Sequence, residues 1–319
     1  SAVEYFINRV ARIAPAYYLA LAIVVLGSLS HGLGGIDPVA LLLSASFLQS
    51  WVPTYPRTLN IPAWSLSVEI AFYLVFPLVL RVALRMRLQN LLLASLALWA
   101  LTQLVVTSLL NSSWYLGHPF TYDLLFFFPP VHFCSFLLGI CGARLLAARS
   151  GEGAPQPGEF WAGTKTVGIC VLTLIALEAR LGLSESMSFM LPFAGSLLSP
   201  LFLLLILQLA LGHDVWARAL SLPVFVALGR ASYSFYILQV PVHRIFIKVG
   251  SPYLPDNADI QFWTFVAALC VISILSQKFV ELPAARIVRR FRPAKSPQQR
   301  PDQAVPAITE ITATQPAKQ

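Results

Sequence analysis

The chain has 319 residues, of which 57% are apolar and 11% charged, with a mean hydropathy of +0.72, whereas soluble domains run at about 25% charged. A solvated surface of that composition would aggregate, so soluble enzymes, secreted disulfide scaffolds and disordered chains are excluded and a membrane protein remains. The formal net charge of +8 does not point to nucleic acid, because Lys and Arg stand in short groups between apolar runs rather than along one basic face.

About 20 apolar residues are needed to cross a roughly 30 Å hydrocarbon core as a helix, and eight such runs are expected along this chain. The first covers residues 14–33 and follows Tyr5-Phe6-Ile7-Asn8-Arg9-Val10-Ala11-Arg12-Ile13-Ala14-Pro15. Arg9 and Arg12 share a helical face and could clamp a phosphate or diphosphate, and the same spacing fits two snorkelling anchors. Polar and charged residues lead straight into a full-length span, so no cleavable signal peptide is expected.

The second run, 66–84, opens with Asn60-Ile61-Pro62-Ala63-Trp64-Ser65-Leu66-Ser67-Val68-Glu69-Ile70-Ala71-Phe72-Tyr73. Ser65, Glu69 and Tyr73 fall four residues apart on one helical face. A carboxylate about one turn inside a span is expensive and reads as functional, against a structural ion pair or a helix-end cap. Runs three to six cover 88–110, 126–147, 166–181 and 191–211, with a Gly/Pro-rich loop expected at 151–163.

The seventh run lies within 222–249 and contains Gly229-Arg230-Ala231-Ser232-Tyr233-Ser234-Phe235-Tyr236. Spacings of 4, 3 and 4 put Ser232, Tyr236, Gln239 and His243 on one polar stripe, which suits either a substrate channel or hydrogen-bonding glue between helices. The eighth, 262–280, runs into Glu281-Leu282-Pro283-Ala284-Ala285-Arg286, where Glu281 could pair with Arg286 or with Arg9 and Arg12, or simply end the helix. Residues 1–292 thus form the membrane domain, and 293–319, rich in Pro, Gln, Ala and Thr, a disordered tail.

Alternating the loops across the membrane puts every Lys and Arg except Arg57, Arg180, Arg244 and Lys248 on the side of the N-terminus. By the positive-inside rule both termini are cytoplasmic. Cys134, Cys141, Cys170 and Cys270 sit inside apolar runs without ligand spacing, so they read as small buried hydrophobes, with neither a disulfide nor a metal expected. His118 and Asp123 have a His-x4-Asp spacing that could orient a general base, but the pair falls on the non-cytoplasmic side without a companion Pro-Glu-Gly motif and is set aside.

In order, Arg-x-x-Arg-Ile-x-Pro, then Pro-x-Trp-Ser-Leu-x-x-Glu-x-x-Phe-Tyr-x-x-Phe-Pro, Phe136-Leu137-Leu138-Gly139, Gly-Arg-x-Ser-Tyr-Ser-x-Tyr and Glu-x-Pro-x-x-Arg resemble the acyltransferase 3 family. The resemblance runs from Tyr5 to Arg286. It implies an all-α polytopic membrane protein, usually of ten spans, in the bacterial inner membrane. Such a protein takes an acyl group, here acetyl, from cytoplasmic acyl-CoA and passes it without a metal to a hydroxyl of a glycan or glycolipid. It further implies that Arg9 and Arg12 engage the donor phosphates, that Trp64, Ser65, Glu69 and Tyr73 line the central site opposite Ser232, Tyr233 and Tyr236, and that Glu281 and Arg286 brace its cytoplasmic mouth.

Two features depart from the family pattern. The Arg-x10-His motif of the family, whose His is the base, is missing, because none of the five histidines has Arg or Lys eleven residues before it. Gln239 stands where the family often has His. Eight spans plus two would make ten, so an N-terminally truncated chain is expected. The competing readings are an inactive remnant that binds or scaffolds, and a secondary transporter.

Overall fold

The computed structural model describes residues 2–29, 35–115, 117–149, 160–186, 190–192, 194–211 and 215–291. Every regular element among them is helical. Five are long and apolar enough to cross a membrane: Val3–Leu29, Ile61–Arg85, Leu88–Leu110, Pro119–Ala148 and Ala258–Arg289. The chain is an all-α, multi-pass membrane protein. The expected tail at 293–319 lies outside the described residues.

Helix α1 (Ala2–Leu29) starts well before the predicted run and carries Arg9 and Arg12 on the helix itself. Helix α2 (Pro38–Ala45) is capped by Asp37, whose carboxylate accepts from the Val39 amide at 2.9 Å. Two short 3₁₀ turns, Gln49–Trp51 and Ile61–Ala63, lead into α3 (Trp64–Arg85). Helix α4 (Leu88–Leu110) and the short α5 (Pro119–Phe126) follow. The expected run 126–147 is broken at its start, because Pro129 and Pro130 impose a 3₁₀ turn before α6 (Phe133–Arg149).

Helix α7 (Phe160–Ser186) extends well past the short window expected there and absorbs residues 160–163 of the predicted Gly/Pro-rich loop. The rest of that loop lies outside the described residues. The window 191–211 is not one helix. It divides into α8 (Ala194–Leu197) and α9 (Ser199–Leu211), because the Pro200 ring excludes the carbonyl of Ser196 from the helical ladder. That carbonyl is capped instead by the Trp99 indole of α4, at 3.0 Å.

Helix α10 (Val215–Leu220) precedes α11 (Pro223–Val249), which matches the seventh predicted run and has Pro241 inside it. Helix α12 (Ala258–Ser276) is capped by Asn257, whose side-chain oxygen accepts from the Asp259 and Ile260 amides at 3.0 and 3.1 Å. It continues through a π turn at Gln277–Glu281 into α13 (Leu282–Arg289).

The helices pack in two groups. Helices α1, α11, α12 and α13 pack together, as do α4, α6, α9 and α7, and α3 touches both α1 and α6. Ala11, Ala16 and Ala20 of α1 are fully buried, small residues that let helix backbones approach closely where lipid offers no hydrophobic drive. Gly142 of α6 does the same against Leu203 of α9, where a Cβ would collide. Leu74, Leu78, Leu93 and Leu104 point outward, as a lipid-facing surface requires. Cys134 and Cys141 are buried as expected, whereas Cys170 of α7 and Cys270 of α12 are only half-buried.

Candidate active site

The Arg-x-x-Arg segment meets the Trp64–Tyr73 segment where the start of α1 packs beside the middle of α3. Tyr5 and Arg9 stand one turn apart on α1, and the Arg9 guanidinium lies 5.3 Å from the Tyr5 ring centre and 5.2 Å from that of Tyr73. Tyr5 also stacks on Phe76 at 5.3 Å. The Tyr73 hydroxyl donates to Glu69 one turn earlier. A planar cation between two rings is held by cation–π attraction, and among the described residues no carboxylate forms an ion pair with it. Arg9 is exposed, so its guanidinium remains open to an anion.

Arg12, also exposed, stands one turn further on, and its charge acts on Glu281. Glu281 ends the π turn, is 7% exposed, and accepts from Ser234, whose hydroxyl is also 3.0 Å from that of Ser276. The expected pairing with Arg286 is not formed: Arg286 is exposed on α13, and among the described residues it makes no ion pair with Glu281. Five positions of helix separate the two residues, which turns them onto different faces.

Tyr233 joins the two carboxylate clusters. Its hydroxyl donates to the Ile13 carbonyl at 2.6 Å, and the charges of Glu69 and Glu281 both act on it. Tyr236 interacts with Ser65, whose hydroxyl also donates to the Pro62 carbonyl at 3.1 Å. The predicted stripe on α11 does not stay together. Ser232 is exposed and donates to the Gly229 carbonyl of its own helix at 2.9 Å. Gln239 is half-buried, and the exposed His243 lies edge-on to Phe265 of α12 at 5.0 Å. Helix α11 packs on α1, on α12 and on the turn before α3, so neighbouring stripe positions face different partners.

Trp64 marks the other end of the site, its ring centre 5.0 Å from Phe127 and 5.2 Å from His132. His132 donates from Nε2 to the Phe126 carbonyl at 3.0 Å, a tautomer that leaves Nδ1 as the acceptor. Phe136 of the Phe-Leu-Leu-Gly motif stacks on Phe72 at 4.7 Å. Asp123, 2% exposed, is not a partner of His118. It takes 3.1 Å bonds from Arg57 and a 2.9 Å bond from the Thr54 amide, while the Arg57 guanidinium lies 5.0 Å from the Tyr122 ring centre.

Sequence reasoning passed over Ser234, Ser276 and His132, all of which lie inside or beside quoted motifs. Ser234 alternates with Ser232 in Ser-Tyr-Ser, and only the helix register shows which of the two hydroxyls is buried. His132 follows the Pro129-Pro130 pair that fixes the entry to α6, a local signal that the chain turns there.

The curated Acyltransferase MdmB of Streptomyces mycarofaciens is similar to this chain, 28% identical over 328 aligned residues that cover 97% of this chain and 81% of the relative. No solved structure matches. The family model described as an acyltransferase domain matches residues 1–276, a stretch that takes in Arg9, Arg12, the Trp64–Tyr73 segment and Tyr233 and stops short of Glu281. The chain belongs to the acyltransferase 3 family.

Proposed function

We propose that this membrane acyltransferase works at the cell membrane with both termini cytoplasmic, taking an acetyl group from acetyl-CoA and passing it to a hydroxyl of a surface glycan or glycolipid. The observation that carries the reading is Arg9, exposed and clasped between Tyr5 and Tyr73 beside Glu69, with Arg12 one turn away. Two open guanidinium groups suit the diphosphate of a CoA donor. Burying them under that anion would bring the thioester toward Glu69, Ser65 and Tyr236.

In the transfer, the acceptor oxygen bonds to the thioester carbonyl carbon, the carbon–sulfur bond breaks, and the acceptor's proton leaves through a base as the CoA thiol departs. Glu69, bonded to Tyr73, is the carboxylate placed for a proton-handling or orienting role in that step. Counted over eight crossings, with α7, α9 and α11 as spans beside the five long apolar helices, the asymmetry of Lys and Arg supports the orientation, because it puts Arg9 and Arg12 where acetyl-CoA is made.

The experiment is release of CoA from labelled acetyl-CoA by purified protein in lipid nanodiscs, with Arg9→Ala and Arg12→Ala beside the wild type. Loss of release in both variants, with membrane insertion unchanged, is expected. Wild-type rates in both would remove the arginines from the donor site. Binding of acetyl-CoA by the wild type without any release would favour a binding or scaffold protein instead.

A further inference from the structure

Pro241 lies inside α11 and has no N–H to give to the carbonyl of Ile237, four residues earlier. Ile237 is 0% exposed, so water does not reach that carbonyl, and an orphan carbonyl in a membrane interior is costly. Asn60 supplies the donor: its Nδ2 donates to the Ile237 carbonyl at 3.0 Å, across 177 residues of sequence. The backbone around Asn60 is shaped for that reach. Leu59 adopts a left-handed φ of 56°, unusual for a branched side chain. The Asn60 carbonyl in turn accepts from the Ala63 amide at 3.0 Å, closing the 3₁₀ turn that runs directly into Trp64 and Ser65.

One residue therefore holds α11 with its side chain and the start of α3 with its main chain. We infer that Asn60 is a positioning residue: by capping the carbonyl that Pro241 frees, it sets the distance between Trp64 and Ser65 on α3 and Tyr233 and Tyr236 on α11. The inference rests on the reading that these two faces form the acyl-transfer site. A displacement of about 1 Å between groups on separate helices is enough to cost about a hundredfold in rate, which gives such a clamp a catalytic consequence beyond satisfying one carbonyl.

Position and mere satisfaction are separable, because alanine at 241 returns the missing N–H to the helix. The experiment compares Asn60→Ala, Pro241→Ala and the double variant in a background carrying Ser65→Cys and Tyr236→Cys, reading thermal stability and the rate at which a short bis-maleimide cross-links the two new thiols. Acetyl-CoA turnover is read separately, in variants that keep Ser65 and Tyr236. Asn60→Ala alone should lose stability. The double variant should regain it, yet cross-link about tenfold more slowly than the background, the scale of one hydrogen bond, and turn over with a lowered kcat.

Wild-type cross-linking and turnover in the double variant would reduce Asn60 to a carbonyl cap and overturn the inference. Should the double variant not fold, Asn60→Gln decides: it keeps the amide donor on a side chain one methylene longer, so unchanged cross-linking there overturns the inference and slowed cross-linking with stability kept supports it. The cross-linking needs no acyl donor. A wild type that fails to turn over acetyl-CoA therefore defeats the proposed function without touching the cross-linking result.

Discussion

Arg9 is kept in place by two tyrosine rings, and Tyr73 both supports that cation and donates to Glu69. These two contributions can be separated. Arg9→Lys keeps the charge but loses the planar fork and much of the stacking, so the KM for acetyl-CoA should rise by about fivefold to tenfold with kcat less affected. Tyr73→Phe keeps the ring beside Arg9 and deletes the hydroxyl that bonds both Glu69 and Arg9, so kcat should fall by about a hundredfold with a smaller rise in that KM. Steady-state kinetics of both variants checks the pair of expectations. A common effect on KM alone would mean that Glu69 serves the cation rather than the chemistry. Ser234→Ala would strip a donor from the buried Glu281 and should lower stability by about 1–3 kcal/mol, read as thermal unfolding in detergent.

At two helix prolines, Pro200 and Pro241, the freed carbonyl is capped from elsewhere in the chain. Trp99 caps Ser196 at the α8–α9 break, as Asn60 caps Ile237 within α11. Trp99→Phe keeps most of the ring volume and loses the N–H, so it should destabilise the protein by about 1 kcal/mol. Adding Pro200→Ala, which lets the ladder close on Ser196, should recover that loss. A thermal-unfolding cycle over the four proteins reads the coupling, and additive effects would show that the Trp99 bond does not serve the proline.

The architecture of the whole molecule was largely legible in the sequence, because hydropathy alone marks apolar runs and prolines mark their breaks. The stretch 222–249, within which the seventh run is expected, is filled by α11. The division of 191–211 was also written in Pro192 and Pro200, but a window average smooths over a single proline. What the sequence did not disclose is which faces meet. The spacing of Ser232, Tyr236, Gln239 and His243 describes an isolated cylinder, whereas α11 has several neighbours, and the deeply buried hydroxyl turned out to be Ser234. Orientation is the remaining property of the whole chain. With both termini cytoplasmic, Asp256→Cys should react with an impermeant maleimide added outside intact cells and Arg87→Cys only after permeabilisation. The reverse pattern would invert the topology and put Arg9 on the wrong side for acetyl-CoA.

The π turn at Gln277–Glu281 holds one residue more than an α-helical turn would need. Removing a single residue within 277–280 would return this turn to the α-helical ladder and leave the residues on either side of it on nearly the same faces, whereas adding one would swing everything downstream by about 100°. After the removal Ser276 and the carboxylate would stand four positions apart and could still both face Ser234. Related chains should therefore tolerate the loss of one residue in this stretch far more readily than the gain of one, and an insertion there would mark a lineage in which the buried carboxylate has been given up.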